Sequence, residues 1–191
     1  MMPRNLLITI ALLLVAVVAM GVYGYHLRRE ALELQQKADA RPVAPPVAGT
    51  AEKVVLFTPD DARGILLQRE VNANLPSEKT ARAREVLRLL ISAWQDKNSA
   101  HQIGAGADVT EVFLIEGKRA IVDVNGIFAD QHRSGVLVEE LTMASIAKTL
   151  AANVPGISEL KLIVDGHERE TLAGHADLTN FYSTDLQWQT E

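Results

Sequence analysis

Twenty consecutive residues without a charge, Leu6 to Tyr25, constrain this chain more than any other feature. Thr9 is the only strongly polar side chain among them. As a helix rising about 1.5 Å per residue, such a segment reaches roughly 30 Å, the thickness of a bilayer's hydrocarbon layer. Tyr23 and Tyr25 fall at one end, where amphipathic rings favour the headgroup level. A secretory leader has a shorter apolar core, about 7–15 residues, although Ala19 and Gly21 would serve as the small pair at a cleavage point. The sequence therefore predicts residues 1–5 as a short flank and 6–25 as an uncleaved, single-pass transmembrane anchor. Arg4 precedes the segment and Arg28, Arg29 and Lys37 follow it, so flanking charge alone would leave the C-terminal part in the cytoplasm.

The remainder of the 191 residues suffices for one domain and its connections. A net charge of −5 and no basic cluster in the C-terminal part argue against nucleic acid as a partner. The chain has no cysteine, which excludes a disulfide framework, a thiol nucleophile, a thiolate zinc site and a lipidated-cysteine anchor.

Residues 26–52 read as a juxtamembrane helix followed by a Pro/Ala linker. Ala31, Leu32 and Leu34 stand at loosely helical spacing, and Pro42, Pro45 and Pro46 then stiffen an extended spacer. Val54 to Phe57 is an apolar strand stopped by Pro59-Asp60-Asp61, and Ile65 to Val71 is a second strand. Ser77 is placed to cap a helix whose inner stripe is Ala83, Val86, Leu87, Leu90, Ile91 and Trp94. Val109 to Ile115 and Arg119 to Val124 flank Glu116-Gly117-Lys118 as a hairpin. A second long helix spans about Gly135 to Asn153, with Met143, Ile146, Ala147, Leu150 and Val154 facing inward and Pro155-Gly156 ending it. Leu160, Leu162 and Val164 alternate in a last strand that stops at the Asp165-Gly166 turn. The expected fold is α+β: two amphipathic helices packed on one mixed β-sheet over residues 53–180, preceded by the transmembrane helix and linker, with 181–191 a less regular tail.

Asp165, His167, His175 and Asp177 are the densest group of possible ligands, and His with carboxylate suits a divalent metal. No HExxH spacing accompanies them, Asp-Gly supplies a turn, and loop Asp and His side chains commonly bond nearby backbone. No metal site is assigned. Gly104 to Asp108 lacks the Lys-Ser/Thr of a phosphate loop and precedes a strand. Asp60-Asp61 reads first as a turn, and Glu139-Glu140 as solvated or helix-dipole charge. No serine sits in a GxSxG setting. No catalytic residue and no cofactor is expected.

The order of these segments resembles a GerMN domain, the module of GerM-type sporulation and germination proteins. The resemblance runs through Ala83-Arg84-Glu85-Val86-Leu87-Arg88-Leu89-Leu90, then Val122-Asp123-Val124-Asn125-Gly126-Ile127-Phe128, then Glu139 to Leu150 leading into Val154-Pro155-Gly156-Ile157. It closes on Leu162-Ile163-Val164-Asp165-Gly166 with Gly174-His175-Ala176-Asp177-Leu178, covering about Lys53 to Leu178. This chain carries one module where GerM carries a tandem pair, and Gly166-His167 where the family continues Gly-Lys. The resemblance implies an α+β fold related to the ring-building modules of envelope complexes, no established catalysis, and an extracytoplasmic domain. It marks Asp165, Gly166, Gly174, His175 and Asp177 as candidate binding residues. The expected function is a bacterial membrane-anchored, N-in and C-out, non-catalytic envelope module that contacts another envelope protein or the cell wall, with self-association open. The alternative is a metal-dependent enzyme or sensor using His175 and Asp177 with Asp165 or His167.

Overall fold

A computed structural model describes Met20, Tyr23, residues 50–185 and residues 188–190. The chain divides into two compact units, Met1–Pro42 and Val43–Glu191. In the first, Met20 and Tyr23 are helical and exposed. The rest of the Leu6–Tyr25 anchor, the juxtamembrane helix and the linker up to Gly49 lie outside the described residues. Among the described residues no helix is long and apolar enough to cross a membrane.

The second unit begins with a long hairpin, β1 (Thr50–Asp60) and β2 (Ile65–Leu75), paired antiparallel along its whole length. Both strands outrun their apolar runs, because cross-strand pairing carries polar residues such as Glu52 and Asn74 along. The helix α1 (Lys79–Trp94) is capped by Glu78 and not by Ser77: the longer carboxylate accepts from the amides of Thr80 at 2.8 Å and Ala81 at 2.6 Å. Its expected stripe, Ala83 to Trp94, is buried. The β3 (Val109–Ile115) and β4 (Arg119–Val124) hairpin follows, with φ positive at Glu116 and Gly117 in its loop. A short helix absent from the sequence reading, α2 (Gly126–Asp130), is capped by Asn125 and drives Phe128 into the core. Then come α3 (Val136–Asn153), β5 (Glu159–Val164) and β6 (Tyr182–Ser183).

The α+β class holds, but the strands form two sheets where one was expected. β1 and β2 stand alone, while β3-β4-β5-β6 make a mixed sheet in which only β4 and β5 are parallel. The reason lies in α3. Its expected face, with Met143, Ile146, Ala147 and Leu150, joins the main core with β3, β4 and β5. Its opposite side puts Leu141 and Ala144 against Leu66, flanked by Phe57 and Trp188. The helix is buried almost all round, and Val54, Leu56 and Leu75 of the hairpin join the same main core.

A polar seam on α3 holds the hairpin. The Asn153 side chain accepts from the Val55 amide at 2.9 Å and donates to its carbonyl at 2.7 Å. Thr149 Oγ1 accepts from the Phe57 amide at 3.0 Å, and Ser145 Oγ donates to the Phe57 carbonyl. The helix thus stands in for a neighbouring strand along the free edge of β1. An edge of the second sheet, β3, is closed differently: Asp108 Oδ1 accepts from the Val109 amide at 2.8 Å and Glu111 Oε1 from the Val112 amide at 3.2 Å.

The tail residues also return to the fold. Tyr182–Ser183 pair with β5, and Leu66 bridges to Thr190.

Replacing Asn153 by Leu keeps the branching at Cγ but strands the Val55 amide and carbonyl. A loss of about 2–4 kcal/mol is expected, seen as a lower urea midpoint at unchanged slope.

Candidate functional site

The loop Ala173 to Ala176 is shaped by one carboxylate. Glu139, in the first turn of α3, is wholly buried, where the sequence suggested solvated charge. Its Oε2 accepts the amides of Ala173 (3.0 Å), His175 (2.9 Å) and Ala176 (2.8 Å). Its Oε1 accepts the Gly135 amide at 3.1 Å and the His175 Nδ1 at 2.9 Å. Burial alone would raise the Glu139 pKa. The Ala176 amide, the His175 side chain and the Gly135 and Ala173 amides outweigh it and hold the group at about 2.

This arrangement orients His175. A carboxylate only accepts, so Nδ1 carries a proton and faces Glu139. Ser134 Oγ lies 3.4 Å from Nδ1. The imidazole is 42% exposed while its carboxylate is fully covered. His175 is therefore held by its Nδ1 edge, with the rest of the ring half-exposed. Beside Ser134, Val136 and Leu137 are among the few large apolar side chains left exposed.

The candidate residues separate into three arrangements. Gly174 and His175 join Glu139 and Ser134. Asp165 and Gly166, both with positive φ, make a tight turn closed by the Val164–His167 pair and tied to β4 through the Asp165 amide to Val124 (2.9 Å) and the Gly166 amide to Asp123 (2.8 Å). A Cβ at Gly126 would meet Asp165 Oδ2 at 2.7 Å, so a larger residue there would push the Asp165 carboxylate aside. Asp177 serves its own loop, accepting from the Thr179 amide and hydroxyl and from Asn180, which hold its pKa down. Among the described residues no group of three or more His, Cys, Asp or Glu is placed to hold a metal ion.

A second polar cluster escaped the sequence reading. Asp61, read there as part of a turn, has a nearly covered carboxylate bonded to His101 Nδ1 at 2.8 Å and to Arg133 at 2.6 Å. His101 Nε2 lies 3.1 Å from Thr142 Oγ1, which is 2.8 Å from His132 Nε2. The order Asp-His-Thr is that of a nucleophile relay, but Thr142 is 0% exposed and no substrate reaches it. The available signal was the spacing Glu139, Thr142, Ser145, Thr149, Asn153, a polar row at helical intervals of three and four inside an apolar helix.

With the geometry in hand, comparisons with known proteins can be read. A family profile described as Germane, sporulation and spore germination, matches residues 55–170. That stretch takes in Glu139 and the Asp165-Gly166 turn and stops short of Gly174, His175 and Asp177. No curated protein matches the sequence. Among solved structures, the tandem GerMN domains of the sporulation protein GerM from Bacillus subtilis superpose with a TM-score of 0.53 at 19% identity, covering 70% of this chain and 46% of that one. This chain thus spans about half of the tandem structure. The first GerMN domain of the same protein gives 0.45 at 19% identity over 68% of this chain and 94% of that one. A putative lipoprotein from Clostridium perfringens gives 0.47 at 14% identity over 74% and 92%.

Glu139→Gln places an amide group opposite backbone amides. A loss of about 3 kcal/mol at neutral pH is expected in urea denaturation. Because the folded pKa is depressed, wild-type Glu139 contributes fully above its unfolded value of about 4.3, and that contribution disappears as pH falls through about 2. The variant lacks this acid step.

Proposed function

The chain belongs to the Germane family of sporulation and spore germination domains, and from that premise we propose that it is a membrane-tethered, non-catalytic module that docks a protein partner in the bacterial envelope. The observation that carries this reading is the half-exposed His175 held by a buried carboxylate and lying 3.4 Å from Ser134 Oγ, in a segment whose next residues, Val136 and Leu137, are exposed. Fixing a loop with four hydrogen bonds to one buried group costs desolvation, which the charge-assisted bonds offset. The outcome is a rigidly held imidazole that meets the Ser134 segment, whose following residues Val136 and Leu137 are exposed, a combination suited to a protein surface. Pre-set geometry of this kind lowers the ordering cost of association.

In this reading Leu6 to Tyr25 is the tether, with the amino terminus inside and the domain outside. Folded domains cross largely regardless of flanking charge, so Arg28, Arg29 and Lys37 do not forbid it. Protease added to intact spheroplasts should remove the domain. Full protection until lysis would reverse the topology.

A photoreactive residue at Leu137 in the native envelope should yield a discrete protein adduct. His175→Ala and Val136→Asp should each reduce that adduct at least tenfold. Val136→Asp is a surface change, so its stability in urea should stay within about 0.5 kcal/mol of wild type, whereas His175→Ala also removes one bond to the buried Glu139 and should cost about 1–3 kcal/mol. An adduct unchanged in both variants would remove this face from the proposal.

A further inference from the structure

The β1–β2 hairpin has two edges, and the fold closes one of them. Along β1 the amides of Val55 and Phe57 point away from β2 and are taken by Asn153 and Thr149 of α3. Opposite residues of an antiparallel pair share one phase: both exchange bonds or both point away. Glu70 stands opposite Val55, Gln68 opposite Phe57 and Leu66 opposite Pro59. The Leu66 amide accordingly leaves the hairpin, donating to the Gln189 carbonyl of the tail at 3.0 Å. The same phase turns the backbone N–H and C=O groups of Gln68, Glu70, Asn72 and Asn74 outward, and all four residues are exposed. Among the described residues these backbone groups have no hydrogen-bond partner.

Long edges are normally blunted by a proline, a bulge or a short strand. β2 runs for 11 residues with no proline and no break in its register. Asp108 and Glu111 fold back on the amides of β3, and among the described residues no side chain does so on Gln68 to Asn74. The exposed charges of this run are one of each sign, Arg69 and Glu70, and Glu70 is held by Lys53 at 2.8 Å. The open run also has firm limits. The tail takes Leu66 at one end, and Pro76 has no amide at the other. Between them Gln68, Glu70, Asn72 and Asn74 are spaced symmetrically about Val71.

We propose that this edge pairs with the same edge of a second copy of the chain, antiparallel and with Val71 opposite Val71. Gln68 then meets Asn74 and Glu70 meets Asn72, in both directions, so every outward residue exchanges its bonds with a partner. On that face amides stand opposite amides or a carboxylate, and on the other face Arg69 stands opposite Ala73. No like charges are directly opposed. Centring the pair on Glu70 would set carboxylate against carboxylate and bring Asn74 to the Leu66 already held by the tail. Centring it on Asn72 would send Gln68 to Pro76, which has no amide to give. The joined hairpins form one sheet whose outer strands are both β1, each closed by Ser145, Thr149 and Asn153 of its own α3. Such a contact is isologous and stops at two copies. A two-stranded hairpin, marginal alone, becomes half of a larger sheet. The pairing stands whether or not the His175 face binds a partner.

The chain has no cysteine, so an introduced thiol reports the contact. Val71 falls at a non-hydrogen-bonded pair, where opposed Cα atoms lie about 4.5 Å apart, within disulfide range. Full-length Val71→Cys, oxidised with copper phenanthroline in the native envelope, should give a disulfide-linked species of twice the chain's mass. Phe113→Cys, exposed on β3, should give at least tenfold less. Adding Asn72→Pro to Val71→Cys should cut the dimer at least tenfold with the far-ultraviolet circular dichroism unchanged, because the Asn72 amide takes no part in the β1 ladder. Co-expressed Arg69→Cys and Ala73→Cys chains should link to each other, which decides the matter even if Val71→Cys disturbs the core. Failure of both thiol designs to link, equal linking of Phe113→Cys, or a dimer indifferent to Asn72→Pro would each overturn the pairing. An adduct with a different protein would assign the edge to a foreign strand and overturn it as well.

Discussion

Everything in this domain leans on the bonds between one side of α3 and the free edge of β1. Backbone groups at a sheet edge must be satisfied once they are buried. Here Ser145, Thr149 and Asn153 satisfy them, two at Val55 and two at Phe57. That one device lets a two-stranded hairpin, marginal on its own, become a permanent wall of the core. It also turns α3 from a surface helix into a central one. The two-sheet architecture follows: the main sheet packs on the apolar face of α3, and the hairpin is fastened to its polar one.

The same row continues towards the N-terminus of the helix, and there its character changes. Thr142 meets two histidines, and Glu139 gathers a loop. Asn153 and Thr149 use neutral hydrogen bonds, which are indifferent to pH. Glu139 uses a group that titrates, so acid acts at its end of the seam and leaves the other intact. Stability and responsiveness are thus divided along a single helix. The half-exposed His175 sits at the responsive end, held by the most strongly depressed carboxylate among the described residues.

What the sequence made legible follows from how local each signal was. The α1 stripe from Ala83 to Trp94, the β3–β4 hairpin around Glu116-Gly117 and the Asp165-Gly166 turn depend on near neighbours, and each is found in place. The α3 apolar face was also read correctly, but its polar row was not, because Thr149 gains its meaning from Phe57, far away in the chain. Glu139 was invisible for the same reason: an acid in a first helical turn is ordinary, and only the loop at Ala173 to Ala176 makes it a buried anchor. Gly174 and His175 could be singled out through a resemblance, yet nothing local revealed that their partner would be Glu139. The short helix α2 was missed because five residues are too few to show a period.

The collar of carboxylates along β3 has a consequence of its own. An open strand invites a stranger to extend the sheet, and Asp108 and Glu111 already occupy the amides such a guest would need. An incoming backbone would have to evict two acids, and would bring its own carbonyls towards their charge. Recruitment by sheet extension is thereby discouraged at that border. At that border the domain meets a partner through side chains, and so can be selective about its company.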